Sequence, residues 1–242
     1  MKLALITGGY RRIGAAIATA LARDGWTLAL HSHHAAEPEG ELAAALGDWR
    51  GFVADLGDHN AVERLVPQVV SAFDRAPTLL VNCASLFDDD DAMIANAVSL
   101  ARFHAVNALA PQALALALAR QGQGGAIVNI LDQRVRNPVR DQLSYSLSKS
   151  ALASATRTLA VALAPRWRVN AIAPGLTLPS PAHDESVLAK TRKLMPLERL
   201  PSPDDVADAA LYFARAQAVT GQTLFVDGGA SLRGFERDFG NL

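Results

Sequence analysis

The sequence predicts a doubly wound α/β domain, and three observations lead there. Seven short apolar runs recur along the chain, most of the stretches between them carry helical periodicity, and 242 residues suit one domain of this kind. Strands that are apolar on both faces and alternate with helices describe a parallel sheet covered on both sides, with right-handed crossovers. The runs are "LALIT" (3–7), "TLALH" (27–31), "GFVA" (51–54), "TLLVN" (78–82), "AIVNIL" (126–131), "RVNAIA" (168–173) and "TLFVD" (223–227). No repeat, low-complexity tract or linker rich in Gly, Pro or Ser divides residues 1–242, so a single domain is expected. "GQGG" (122–125) reads as a helix stop before the fifth strand.

Charge and composition narrow the partners. Lys and Arg number 23 against 24 Asp and Glu, which leaves no net field for nucleic acid or an anionic membrane. No uninterrupted apolar stretch approaches the roughly 18 residues of a membrane span, and the first strand begins at Leu3 without room for a signal peptide. The single cysteine, Cys83, cannot close an internal disulfide and forms no zinc-binding cluster, so a cytoplasmic location is expected. The helices at 111–120 and 148–164 are Ala- and Leu-rich around more than one face. Either alanine simply faces solvent there, or a second subunit covers them; a homo-oligomer is expected.

The turn after the first strand reads "TGGYRRIGAAIATALARDG". Gly8 permits a sharp strand-to-helix turn, Gly14 close packing, and the helix start offers free N–H groups to a diphosphate. Such a turn can be purely structural, but its place after the first strand favours a nucleotide. Sites that take the cofactor without a 2′-phosphate usually carry an acid at the end of strand two. Here "HSHHAA" puts His31, His33 and His34 at that place, with Arg11 and Arg12 adding positive charge, so NADP(H) is expected over NAD(H). A solvated turn is the plainer account of the histidines; no second ligand cluster supports a metal.

These residues, with "NCAS", Asn107 in "HAVNALAP", "YSLSK" and "APG" (173–175), make the chain resemble the short-chain dehydrogenase/reductase family from Leu3 to about Gly229. The resemblance implies a Rossmann domain with a seven-stranded sheet, a nicotinamide cofactor and usually a homotetramer built on the two apolar helices. It implies cofactor contacts from Gly8, Arg11, Arg12, Ile13 and Gly14 at the turn and from Asp55 and Leu56 at the adenine. Asn82, Ala84 and Ser85 would contact the ribose region, and Pro174 and Gly175 the nicotinamide. Arg12 stands where the motif has its middle glycine, Cys83 where it has a second asparagine, and Asp132 where it usually has serine. Arg12, Asp132 and "ASLF" (84–87) resemble the pteridine reductase branch. That branch implies Arg12 at phosphate and substrate, Phe87 stacked on the substrate, and Asp132, Tyr145 and Lys149 as the catalytic set, with Asn107 holding a water. Cys83 has no counterpart there and reads as a small buried side chain.

Tyr145 and Lys149 lie one helical turn apart and point the same way. A phenol titrates near about pH 10, and a nearby cation brings it toward the working range. Asp132 is the unusual member, because a carboxylate only accepts hydrogen bonds. Two like charges about 4 Å apart cost roughly 4 kcal/mol at an effective dielectric near 20, so a bare carboxylate would slow alkoxide formation about a thousandfold. Either Asp132 is protonated and donates as serine does, or the substrate presents donors, as the amino-pyrimidine edge of a pterin does. The expectation is therefore reduction of a pterin-like C=N bond, with Phe87 as the wall of a flat slot rather than a core ring. A general carbonyl reductase and a non-catalytic NADP(H)-binding regulator are the competing readings. Residues 178–205 form the longest irregular stretch and are expected to act as a lid. Asp88 to Asp91 are either a solvated run or a repulsive mouth for acidic tails such as a polyglutamate.

Overall fold

Each apolar run becomes a strand. In the computed structural model, which describes residues 2–88, 90–178 and 184–237, they are β1 (Leu3–Thr7), β2 (Thr27–Ser32), β3 (Trp49–Val53), β4 (Leu79–Asn82), β5 (Gly125–Ile130), β6 (Trp167–Pro174) and β7 (Thr223–Val226). All pairings are parallel, in the order β3-β2-β1-β4-β5-β6-β7. β1 and β4 are wholly buried, which explains their unbroken apolar sequences. β3 lies at one edge and is half open to solvent, with Val53 exposed.

The helices are α1 (Arg12–Arg23), α2 (Gly40–Ala45), α3 (His59–Phe73), α4 (Ala97–His104), α5 (Ala110–Ala119), α6 (Leu143–Ala162), α7 (Glu185–Leu194) and α8 (Pro203–Arg215). α1, α2 and α8 cover one face through Ile17, Leu21, Leu42, Val206 and Phe213. α3, α5 and α6 cover the other through Leu65, Val69, Leu114, Leu118 and Leu159. Side-chain caps set several starts: Asn96 and Ser202 form capping boxes with Ser99 and Asp205, and Pro203 opens α8.

The stretch expected to be irregular, 178–205, is not so throughout. Asp184 accepts the N–H of Val187 and starts α7, which buries Leu188 and Thr191. Residues 179–183 of that stretch lie outside the described residues. The helix was hidden by its sparse apolar pattern, since only one turn-spaced face is buried. Between α4 and α5, Ala105–Leu109 forms a π-helical turn carrying Asn107. On α5 and α6 the expected apolar excess is real: Leu116 and Leu147 are partly exposed and Val161 is 81% exposed.

Gly8 and Gly14 bring backbone against backbone. Gly8 has φ +66°, and a Cβ at Gly14 would stand 2.0 Å from the Gly8 carbonyl oxygen. Gly14→Ala is thus expected to destabilise the domain by about 1–3 kcal/mol, as overpacking does. A urea midpoint equal to wild type would contradict this contact.

Candidate active site

Because every strand runs the same way, the carboxyl ends of β1, β4, β5 and β6 meet along one edge. The connections from β1 and β4 diverge there, which is where open α/β sheets bind ligands. Thr7 closes the gap between the two strand ends: its hydroxyl oxygen accepts the N–H groups of Cys83 at 3.0 Å and Ala84 at 3.1 Å. A Cβ at Gly8 would lie 3.0 Å from the Ala84 Cα, so the glycine turn and the "NCAS" segment are in contact. Nothing in the hydropathy pattern singled out Thr7.

At the turn Arg11 and Arg12 are exposed and Ile13 is half-buried, with α1 beginning at Arg12. Arg12 has φ +55°, the left-handed conformation that the motif's glycine would adopt freely. Holding arginine there costs on the order of 1–3 kcal/mol. The backbone shape has been kept while a cation has been added. His31 differs from its expected place beside a phosphate. It is buried, its Nε2 lies 3.0 Å from the Ala54 carbonyl, and Nδ1 accepts the Gly8 N–H at 3.4 Å. Burial lowers its pKa, which keeps the ring neutral, so His31 braces the turn and leaves the cationic role to others. His33 and His34 are exposed with ring centroids 4.2 Å apart, and His33 Nδ1 is 3.6 Å from the Asp55 carboxylate. Leu56 is buried behind Asp55. Among the described residues no three His, Cys, Asp or Glu side chains assemble into a metal site.

Buried beneath the cleft, Asn82 donates to Asn129 at 2.8 Å, Asn129 to Thr156 and Thr156 to the Leu152 carbonyl. The Asn82 Oδ1 is buried and meets no donor among the described residues, an acceptor suited to a sugar hydroxyl. Cys83 is inert as a nucleophile, because burial pushes its thiol up to about 11. Pro174 ends β6, and a Cβ on Gly175 would meet Asp227 at 2.9 Å, so the chain passes closely there.

The expected catalytic residues do come together. Asp132 follows β5 and caps a 3-10 turn, its Oδ1 accepting the Arg134 N–H at 2.8 Å. Its Oδ2 accepts the Tyr145 hydroxyl at 3.1 Å. Lys149 Nζ donates to the Ile130 carbonyl at 2.8 Å and lies 5.7 Å from the Tyr145 ring centroid. Burial brings Lys149 down to about 8, against the opposing pull of Cys83 and Asp132. Phe87 is 56% exposed, with its ring edge-on to Tyr145 at 4.9 Å, which places it at a cleft wall rather than in the core.

Asn107 departs from expectation at its side chain. Its Oδ1 accepts from Leu86 N at 2.8 Å and the Ser85 hydroxyl at 3.2 Å, while Nδ2 donates to the Leu86 carbonyl and to Ser148 Oγ. All four amide bonds are used, so its side chain has no capacity left for the expected water. It pins residues 85–86 against α6 instead.

Two contributors went unread in the sequence. Asp90 accepts the Ser144 N–H at 3.0 Å, and its carbonyl accepts the Leu143 N–H. It thereby caps α6, whose N-cap residue Gln142 does not cap the helix with its side chain, and so sets the helix that carries Tyr145. Asp91 accepts from Met93 and Ile94. The acidic run is therefore partly a scaffold; Asp89 lies outside the described residues. The second is Arg134, whose Nη1 approaches Asp132 Oδ2 to 3.5 Å and whose guanidinium lies 5.8 Å and 5.9 Å from the Phe87 and Tyr145 rings. Its place two residues after Asp132 was the available signal.

A glycine turn at the switch point and a buried lysine beside a tyrosine define an oxidoreductase that works on a bound nucleotide cofactor. A family model described as "Enoyl-(Acyl carrier protein) reductase" matches residues 9–231. The chain belongs to the short-chain dehydrogenase/reductase family. It is similar to the crystal structure of FolM alternative dihydrofolate reductase 1 from Brucella canis complexed with NADP, at 38% identity and TM-score 0.85 over 96% of this chain and 95% of that one. The (3R)-3-hydroxyacyl-CoA dehydrogenase of Canis lupus familiaris is 33% identical over 94% of this chain and 95% of its own. Pteridine reductase 1 of Leishmania tarentolae is 29% identical over 95% and 96%.

Lys149 is cationic below about 8 and loses its charge above it. The kcat/KM of the reduced cofactor is expected to fall as pH rises through that value, and Lys149→Arg, charged throughout, should move the fall to higher pH. A wild-type profile flat to pH 9 would overturn the assignment.

Proposed function

We propose that this protein is an NADPH-dependent reductase of a pterin or dihydropterin C=N bond, with dihydrofolate as a related substrate. The observation that carries the reading is the Asp132 carboxylate, on which a tyrosine hydroxyl, a backbone N–H and a guanidinium converge. A group arranged as an acceptor suits a ring edge that presents N–H donors. The exposed Phe87 supplies a flat wall beside it. The likenesses to a dihydrofolate reductase complexed with NADP and to a pteridine reductase support the same class.

The cofactor, NADPH, supplies a hydride to the substrate carbon. Gly8, Ile13 and Gly14 offer backbone to its diphosphate; Arg11, Arg12, His33 and His34 lie where a 2′-phosphate needs positive charge. Asp55 and Leu56 would hold the adenine, Asn82, Ala84 and Ser85 the ribose, and Pro174 and Gly175 the nicotinamide. Tyr145 hands its hydroxyl proton to the substrate nitrogen, and the Lys149 cation stabilises the phenolate left behind. Asp132 orients both the tyrosine and the substrate edge. Arg12, held in a costly backbone conformation, would serve phosphate and substrate together. α7, within the 178–205 stretch, serves as the lid at the substrate end.

Carbonyl reduction is the second reading, and one observation favours it. The Arg134 guanidinium beside Asp132 offsets part of the charge that would oppose an alkoxide. The similarity to a hydroxyacyl-CoA dehydrogenase points the same way. NADPH oxidation with a dihydropterin, dihydrofolate and a carbonyl panel separates the readings. Pterin turnover is expected, and turnover of carbonyls alone would refute it; tight NADPH binding without any turnover would mark a regulator. Asp132→Ser should lower kcat/KM for the pterin at least about tenfold while sparing a carbonyl, since a lost partner leaves substrate donors unpaired.

The same reading takes the α5–α6 face as the seam of a homotetramer. Gln112, Ala151, Ser154 and Ala155 line a shallow groove there, beside the exposed Leu116 and Leu147. Light scattering is expected to give four times the 25.6 kDa chain mass, and Ala155→Glu a smaller species. A monomeric wild type would rule the seam out.

A further inference from the structure

Arg134 is a buried cation beside the reactive carboxylate, and the proposed reaction gives it no task of its own. Its side chain is 9% exposed and that of Asp132 18%. Three contacts hold it at once. Its own backbone N–H is bound by Asp132 Oδ1, its Nη1 stands 3.5 Å from Oδ2, and its plane packs near both Phe87 and Tyr145. Oδ2 is also the atom that receives the Tyr145 hydroxyl. One oxygen therefore couples the guanidinium to the proton donor.

Among the described residues, Lys149 on α6 is a second cation acting on this carboxylate, and Cys83 at the end of β4 is a neutral thiol. With Arg134 at 3.5 Å the carboxylate has a close counter-charge, and Lys149 adds a further positive charge. That balance suits a substrate that gains electron density during reduction. A serine in the same position would need no such partner, which accounts for an arginine two residues after an aspartate.

We propose that Arg134 is the positioning residue for Asp132: it compensates the carboxylate's charge and fixes its rotamer, so that an acid can stand beside the proton donor of a reductive site. This rests on the proposed reductase activity but not on the substrate being a pterin. Arg134 acts through Asp132, and its packing on Phe87 is secondary. Removing the charge should therefore matter only while the carboxylate is present.

A double-mutant cycle tests this with whichever substrate the wild type reduces. Arg134→Met keeps the packing and loses the charge; it is expected to lower kcat/KM at least about tenfold, mainly through kcat, because coupled neighbours interact by amounts of that order. In the Asp132→Asn background the same change should cost less than about threefold. Arg134→Lys should recover most of the lost rate, although it cannot stack as a plane. If Arg134→Met fails to fold, the Asp132→Asn, Arg134→Met chain, which buries no lone charge, is expected to fold and serves with Arg134→Lys as the comparison. Equal losses in both backgrounds, or a Lys variant no better than Met, would reduce Arg134 to packing and overturn the proposal. Absence of pterin turnover with carbonyl turnover intact would refute the substrate reading and leave this cycle measurable.

Discussion

The shared direction of the seven strands is the constraint from which the rest follows. Parallel strands deliver their carboxyl ends to one edge, and the reversal of order between β1 and β4 opens a crevice there. Residues from four separate stretches of chain reach that crevice, Ser85 and Phe87 on the connection between β4 and α4. Thr7 then fixes its width by holding the first residues after β4 to the end of β1. The glycine turn fits only because Gly14 has no side chain to strike the Gly8 carbonyl.

The reactive end is governed by charge placed in a poorly solvated setting. Lys149 is buried and anchored to the Ile130 carbonyl, so its cation is held rather than hydrated, and burial lowers its pKa as a result. A lone carboxylate about 4 Å from a forming alkoxide would cost roughly 4 kcal/mol at a dielectric near 20. The guanidinium of Arg134 at 3.5 Å opposes that cost with a charge of the other sign at similar range. With Arg134 in place the site disfavours carbonyls less strongly than Asp132 alone would. What Asp132 retains is its role as an acceptor, which concerns the hydrogen-bonding pattern of the substrate more than its charge.

Scaffolding is spread over residues that look functional in the sequence. His31, Asn107 and Asp90 are all polar and near the site, yet each uses its hydrogen bonds on the protein itself. His31 braces the phosphate turn, Asn107 ties the 85–86 segment to α6, and Asp90 caps α6. Their common effect is to hold Tyr145 and the cofactor turn in fixed relation. A π-helical turn at Asn107 bends the chain enough for its side chain to reach both segments.

The sequence by itself determined the architecture and most of the cleft. Burial on both faces writes unbroken apolar runs into parallel strands, so β1, β2 and β4 to β7 were legible to within a residue or two. Glycine where the backbone must be left-handed, and Tyr145 and Lys149 one turn apart, are equally local signals. Edge strand β3 was read two residues short at its start because Trp49 and Arg50 do not continue the apolar run, and α7 was missed because little of it is buried. Only the tertiary structure decided how polar side chains divide between chemistry and support. Hydrogen bonds are saturable and directional, so the role of an amide, imidazole or carboxylate depends on which distant groups already occupy it. No spacing in the chain records that His31 is spent on Gly8 and Ala54, or that Asn107 is spent on Leu86 and Ser148.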